Sequence, residues 1–203
     1  MISRKNWIFF IILISALFRL PLVFAEEESP QNTVEVLLNS IASLKTEANL
    51  SQEEIKKNEI LSHRALVVLN VGEISRKSLG KYWKKRTLTE QELFIDLLSQ
   101  MFIKEAFPSS GKFFSSLELI YGQSTINKSK AKVPITVMHE KEGEISIDFH
   151  LQKYSDRWQV VDVDLDGISM RNNLRSQFYK VISKNDYQEL VRRIKKKLNN
   201  AKT

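Results

Sequence analysis

The chain has 203 residues, 42% of them hydrophobic, with 31 Lys and Arg against 24 Asp and Glu and no cysteine. The length suits one domain, and the apolar content excludes a disordered chain. The absence of Cys excludes disulfide scaffolds, thiolate metal sites, iron–sulfur clusters and Cys nucleophiles.

Arg4 and Lys5 open the chain, and an almost wholly apolar run follows from Trp7 to Phe18. Val23-Phe24-Ala25 supplies small residues before the acidic Glu26-Glu27-Glu28. This layout predicts a secretory signal peptide over residues 1–25, cleaved after Ala25. The apolar run stops before Arg19, short of the roughly 20 residues that a bilayer span needs. Without residues 1–25 the chain keeps 28 cations against 24 acids, a mildly basic +4. That balance is no argument for nucleic acid. Residues 26–203 are expected to form a single domain.

The mature chain begins with helical spacing at Val34, Leu37, Leu38, Ile41 and Leu44. Ser51 with Glu54 predicts a capping box and a second helix through Ile55, Ile60 and Leu61. Asn70 with Glu73 repeats the signature before Ile74, Leu79 and Trp83. A long helix starting at Thr89 carries Leu93, Phe94, Leu97, Leu98, Met101 and Phe102 on one broad face, and Pro108-Ser-Ser-Gly111 is expected to end it.

The period then changes from helical to strand-like. Val133, Ile135 and Val137 alternate with polar residues, as do Ile145, Ile147, Phe149 and Leu151. Glu140 to Gly143 predicts the hairpin turn between them. Trp158 to Leu165 follows as a third strand after the Ser155-Asp156 turn, and Leu117 to Tyr121 is expected as a fourth. Helical spacing returns with Leu174, Phe178, Val181 and Ile182. Asp186 with Glu189 caps a last helix carrying Leu190, Ile194 and Leu198. The order is that of an α+β fold, with an antiparallel sheet of about four strands and helices on one face.

Few motifs carry chemistry. Asp162, Asp164, Asp166 and Gly167 match the first half of a calcium loop, but the twelfth position is Asn173 where a bidentate Glu is needed. They are expected on the solvent face of a strand, with Val161, Val163 and Leu165 between them. His63, His139 and His150 share no zinc-ligand spacing, and no nucleophile elbow, phosphate loop or dinucleotide fingerprint is present. No metal, cofactor or catalytic residue is therefore expected. The basic run Arg192 to Lys197 reads as a solvated helix end, its charges favourable against the helix dipole, or as a docking surface for acidic lipid or an acidic partner. What remains is apolar excess. Taken singly, each of these apolar residues reads as plain core; collectively, Trp83, Phe94, Leu97, Leu98, Met101, Ile147, Phe149 and Val161 are expected to line a hydrophobic pocket between helices and sheet.

A chain of short segments then carries a resemblance. Leu79-Gly80-Lys81-Tyr82-Trp83, the Thr87-to-Glu92 cap and the Phe94/Leu97/Leu98 helix are followed by Tyr121-Gly122, Val133-Pro134-Ile135 and Ile145 to Leu151. Trp158-Gln159-Val160-Val161-Asp162, Gly167-Ile168-Ser169 and Asn173 to Phe178 complete it. In order and spacing they resemble the MlaC family, also called the toluene-tolerance auxiliary family, over residues 30–198. The departures are Asn70, where that family usually has Asp, and a longer, more polar Pro108–Ser116 segment.

The resemblance implies a cystatin- or NTF2-like sheet enclosing an apolar pocket, and a periplasmic, monomeric carrier of phospholipid that performs no chemistry. It further implies transfer between an inner-membrane ABC transporter bearing an MCE-domain protein and an outer-membrane lipoprotein–porin complex, maintaining outer-membrane lipid asymmetry. Two rivals are a small NTF2-like isomerase or dehydratase using Asp148 or Tyr121 as acid or base, and an adaptor between membrane complexes with no ligand cavity.

Overall fold

The computed structural model describes residues 29–115, 117–139 and 143–200. The expected signal peptide lies outside the described residues, as does most of the turn expected at 140–143. Helix α1 spans Pro30–Ala42, α2 Gln52–Val67 and α3 Val71–Leu79, the last running into a 3-10 turn at Gly80–Lys85. Helix α4 spans Leu88–Met101, continues through a π-helical turn at Phe102–Ala106 and resumes as α5, Phe107–Phe114. Strands β1 (Leu119–Tyr121), β2 (Thr125–Asn127), β3 (Lys130–His139), β4 (Gly143–Tyr154), β5 (Arg157–Leu165) and β6 (Ile168–Ser169) follow. Helices α6 (Met170–Lys184) and α7 (Tyr187–Asn200) close the described chain.

The helix starts follow from their caps. Ser51 and Glu54 satisfy each other's backbone donors at α2, and Thr87 with Glu90 does the same at α4. The latter box starts α4 at Leu88, one residue before the start expected at Thr89. Asn70 Oδ1 accepts from the Glu73 amide at 2.8 Å, Ser169 Oγ from Asn172 at 3.0 Å and Asp186 from Glu189 at 2.8 Å. Each occupies an amide that the first helical turn leaves unpaired.

Pro108 does not end the fourth helix. The π turn inserts one extra residue, so the Phe107 amide reaches back to Phe102 O, five residues away. Helix α5 then restarts with Pro108 in its first turn, where no intrahelical N–H is required. Gly111 has a packing role rather than a terminating one. It is buried where α5 crosses the end of α1, and a methyl group there would overlap the Ile41 carbonyl oxygen.

The sheet is antiparallel and has six strands, in the order β1-β3-β4-β5-β6, with β2 also paired to β3. The expected four are present. The two further strands, β2 and β6, span three and two residues, too short for an alternating pattern to register. Val133, Ile135, Val137, Ile145, Ile147, Phe149, Leu151, Trp158 and Val160 form a buried inner face. Helices α1, α3 and α6 pack on strands of this sheet.

A register shift at His150/Leu151 breaks the alternation of β5. Leu151 pairs with Val160 and His150 with Asp162, so Val161 is the extra residue of a β-bulge. Val161 is buried but stands outside the main hydrophobic cluster. The expected solvent face of acids also needs correction. Asp162 is buried at 7% exposure and accepts from Ser169 Oγ at 2.7 Å and the Arg171 amide at 3.0 Å, with the Arg171 guanidinium at 3.1 Å. It fastens β5 to the start of α6.

Candidate functional site

Helix α4, the π turn, α5, α6 and α7 line an open cavity of about 430 Å³. This lies within the roughly 300–1,000 Å³ usual for small-molecule sites. Leu98, Met101, Phe102 and Ala106 form one wall, and Leu174, Phe178, Val181, Leu190 and Ile194 form the facing one. The polar members are Glu105, Ser109, Gln177, Arg193 and Lys197. Phe102, Glu105 and Ala106 of the π turn continue the i, i+3, i+4 spacing begun by Leu98 and Met101, so all five face the same cavity. Phe94 meets Phe178 edge-on at 5.5 Å between ring centroids, which braces one wall from behind.

Helices α4 and α7 are held together at both ends of their contact. Tyr187 Oη donates to Glu90 O at 3.0 Å, and the Arg86 guanidinium lies 4.6 Å from the centre of its ring. Burial, with a smaller contribution from Glu90, pushes the Tyr187 phenol above its ordinary value. At the other end Lys197 Nζ is 3.3 Å from Glu105, across the cavity. Glu189 accepts from Arg192 at 2.6 Å and Arg193 at 2.8 Å, which holds its carboxyl down at about 2.

The eight residues expected at a pocket fall in five places. Leu98 and Met101 line the cavity. Phe94 and Leu97 are buried on the same helix, within the core. Ile147 and Phe149 are buried on the inner face of β4, and Trp83 is half-buried in the 3-10 turn, where its carbonyl accepts from Gln91. Val161 lines a different cleft. Phe102, Phe178, Leu190 and Ile194 also line the cavity, outside the expected set. Their helical stripes were visible in the sequence, but not which stripes would face each other.

The second cleft, of about 420 Å³, is polar and includes Glu73, Lys77, Lys130, His150, Asp162, Asp164 and Arg171. His150 Nε2 lies 2.9 Å from Asp164, and Lys132 lies 3.0 Å from Asp148 on the same outer sheet surface. Asp166 accepts from the Ser146 amide at 3.0 Å. The three aspartates of the partial calcium motif thus turn to different protein partners. Among the described residues no group of three or more His, Asp or Glu is placed to hold a metal.

Asp148 and Tyr121 do not converge. Asp148 is opposite Pro134 on the outer face, whereas Tyr121 is opposite buried Ile135 on the inner one. Burial, with Glu35 nearby, raises the Tyr121 phenol above its ordinary value. Neither residue lines the apolar cavity.

No helix among the described residues is long and apolar enough to cross a membrane. The fold is similar to that of a phospholipid-binding protein from Ralstonia solanacearum, solved in complex with a phospholipid. The TM-score is 0.69 at 19% identity, over 86% of this chain and 99% of that one. No curated protein sequence matches the chain. The sequence profile of the MlaC protein family matches residues 31–196, and the chain therefore belongs to the MlaC family.

Proposed function

We propose that the protein is a periplasmic phospholipid carrier that takes an acyl chain between α4, α6 and α7 and performs no chemistry on it. The observation that carries this reading is the apolar cavity in a member of the MlaC family. The bound phospholipid of the Ralstonia protein of similar fold supports it.

The energetics suit reversible carriage. Each methylene withdrawn from water contributes about 0.8 kcal/mol, and most of that gain already exists in a bilayer. Transfer between membrane and cavity is then close to balanced. Leu98 and Met101 touch the chain in this reading. Phe94, Leu97, Ile147 and Phe149 are the apolar bed behind it, exposed further if the helical layer parts to admit a second chain. The phosphate stays at the rim beside Arg193 and Lys197, where its charge avoids the cost of burial.

Family membership supports a wider role. The carrier would pass lipid between an inner-membrane ABC transporter with an MCE-domain protein and an outer-membrane lipoprotein–porin complex, maintaining outer-membrane lipid asymmetry. Residues 1–25 would direct its export. A bridging adaptor needs no ligand-sized cavity, and an NTF2-like enzyme needs its acid or base in the apolar site, so the geometry favours neither.

Native mass spectrometry of protein purified from cells tests the proposal. Phospholipid masses retained on the folded protein are expected; a protein that consistently carries none contradicts it.

A further inference from the structure

The positive charge of this molecule is segregated. Residues 170–200, which form the α6–α7 hairpin, hold nine Lys and Arg against two acids. Residues 29–169 hold eighteen against nineteen. Helix α7 turns Leu190, Val191, Ile194 and Leu198 into the protein, which leaves its cations on the outer arc. Glu189 holds Arg192 and Arg193, and Glu105 meets Lys197. Lys195 and Lys196 are exposed and have no ion-pair partner among the described residues. Arg193 and Lys197 belong to both features, since they also line the apolar cavity.

We propose that the α6–α7 hairpin docks on the anionic surface of a phospholipid bilayer, with the cavity rim toward the headgroups. The choice of a bilayer rests on the lipid-carrying role proposed above, and the charge pattern supplies an independent reason. A protein partner usually offers aromatic and apolar anchors to a complementary apolar centre. The exposed large hydrophobic side chains here are Ile55, Ile60, Val67, Leu88, Ile120, Ile126, Met138, Leu165 and Ile168, and none lies on the hairpin. Apart from the recessed cavity itself, the hairpin offers cations and no protruding apolar anchor, which fits a field of phosphates better than a protein face. Because the apolar stripe of α7 is occupied by the core, docking is electrostatic and peripheral, without insertion of the helix.

The test is co-sedimentation of the mature chain with vesicles of phosphatidylglycerol and phosphatidylethanolamine, beside vesicles of phosphatidylcholine, at low and high salt. Binding to the anionic vesicles alone, lost at high salt, is expected. The Lys195→Gln/Lys196→Gln variant should bind them roughly thirtyfold more weakly, from the usual contribution of a cation near an anionic surface. Both substitutions lie away from the cavity, so the variant should keep its circular dichroism and its co-purified phospholipid. Equal sedimentation with neutral vesicles overturns the proposal, as does failure to bind anionic vesicles at low salt, the outcome that an acidic protein partner predicts. An unweakened double variant overturns it too. Absence of co-purified lipid from a protein that still binds anionic vesicles would count against the carrier role and leave docking standing.

Discussion

Two clefts of nearly equal volume, 430 and 420 Å³, have opposite chemistry in this molecule. In the polar one, both aspartates are paired within the protein. Asp162 is held by Ser169 and Arg171, and Asp164 by His150. Such a network has its hydrogen-bond demand met internally, and its consequence is structural: it locks β5 to α6. The apolar cleft has no such closure. Its Leu, Met, Phe, Val and Ile walls face space, and only apolar atoms from elsewhere would complete their contacts. Equal volume therefore does not imply equal function. The unsatisfied cleft is the one that a ligand would stabilise.

The largest way to disturb this contrast is to remove the support behind the apolar cleft. Phe94 is fully buried against Phe178 and Tyr187. Phe94→Ala should cost about 3–5 kcal/mol in chemical denaturation, from lost burial and the void left behind. On the polar side, Asp162→Ala strands Arg171 and the donors around it. A loss of about 3 kcal/mol is expected, with the amount of co-purified lipid unchanged. A lipid-free Asp162→Ala protein that remains folded would mean that the two clefts are not separate in function.

Gly111→Ala tests how rigidly α5 seats beside the cavity. The added methyl group meets backbone at Ile41 rather than a flexible side chain. The strain should outweigh the roughly 1 kcal/mol that Ala gains over Gly in a helix, for a net loss of about 2 kcal/mol in urea melts. Met101→Trp should act on function instead. The larger ring would displace a few methylenes at about 0.8 kcal/mol each, so lipid affinity should fall at least about tenfold by competition with a fluorescent analogue, with little change in stability. The smallest effect belongs to Glu189, outside both clefts. Its carboxyl is held at about 2 rather than the ordinary 4.5, so its pairs with Arg192 and Arg193 contribute above that ordinary value. That contribution is lost as pH falls toward 2. An NMR titration of the Glu189 carboxyl should show the low midpoint, with barely any change in overall melting, because the pairs are exposed.

The parts of the fold legible in the sequence are those governed by local rules. The Ser51/Glu54 box, the caps at Asn70 and Asp186, and the alternation through Ile145, Ile147 and Phe149 each act within a few residues. The misread parts depended on long-range compensation. Pro108 signals a helix end unless a π turn absorbs it, and Gly111 signals a break unless α1 crosses there. The bulge at Val161 is set by pairing with β4, which the β5 residues alone do not specify. The cavity followed the same logic. Leu98 and Met101 were recognisable on their helix, but Leu174, Phe178, Leu190 and Ile194 became partners only when α6 and α7 folded against it.

The central claim is that the apolar cleft, and not the polar one, holds the lipid. Irradiating the protein loaded with a phospholipid that carries a photoreactive group on its acyl chain, then mapping the cross-linked peptides, tests this directly. Labels are predicted on α4 and the π turn around Leu98, Met101 and Phe102, and on the facing helices at Phe178 and Ile194. Labels concentrated on β4 and β5 around His150 and Asp164 would contradict it.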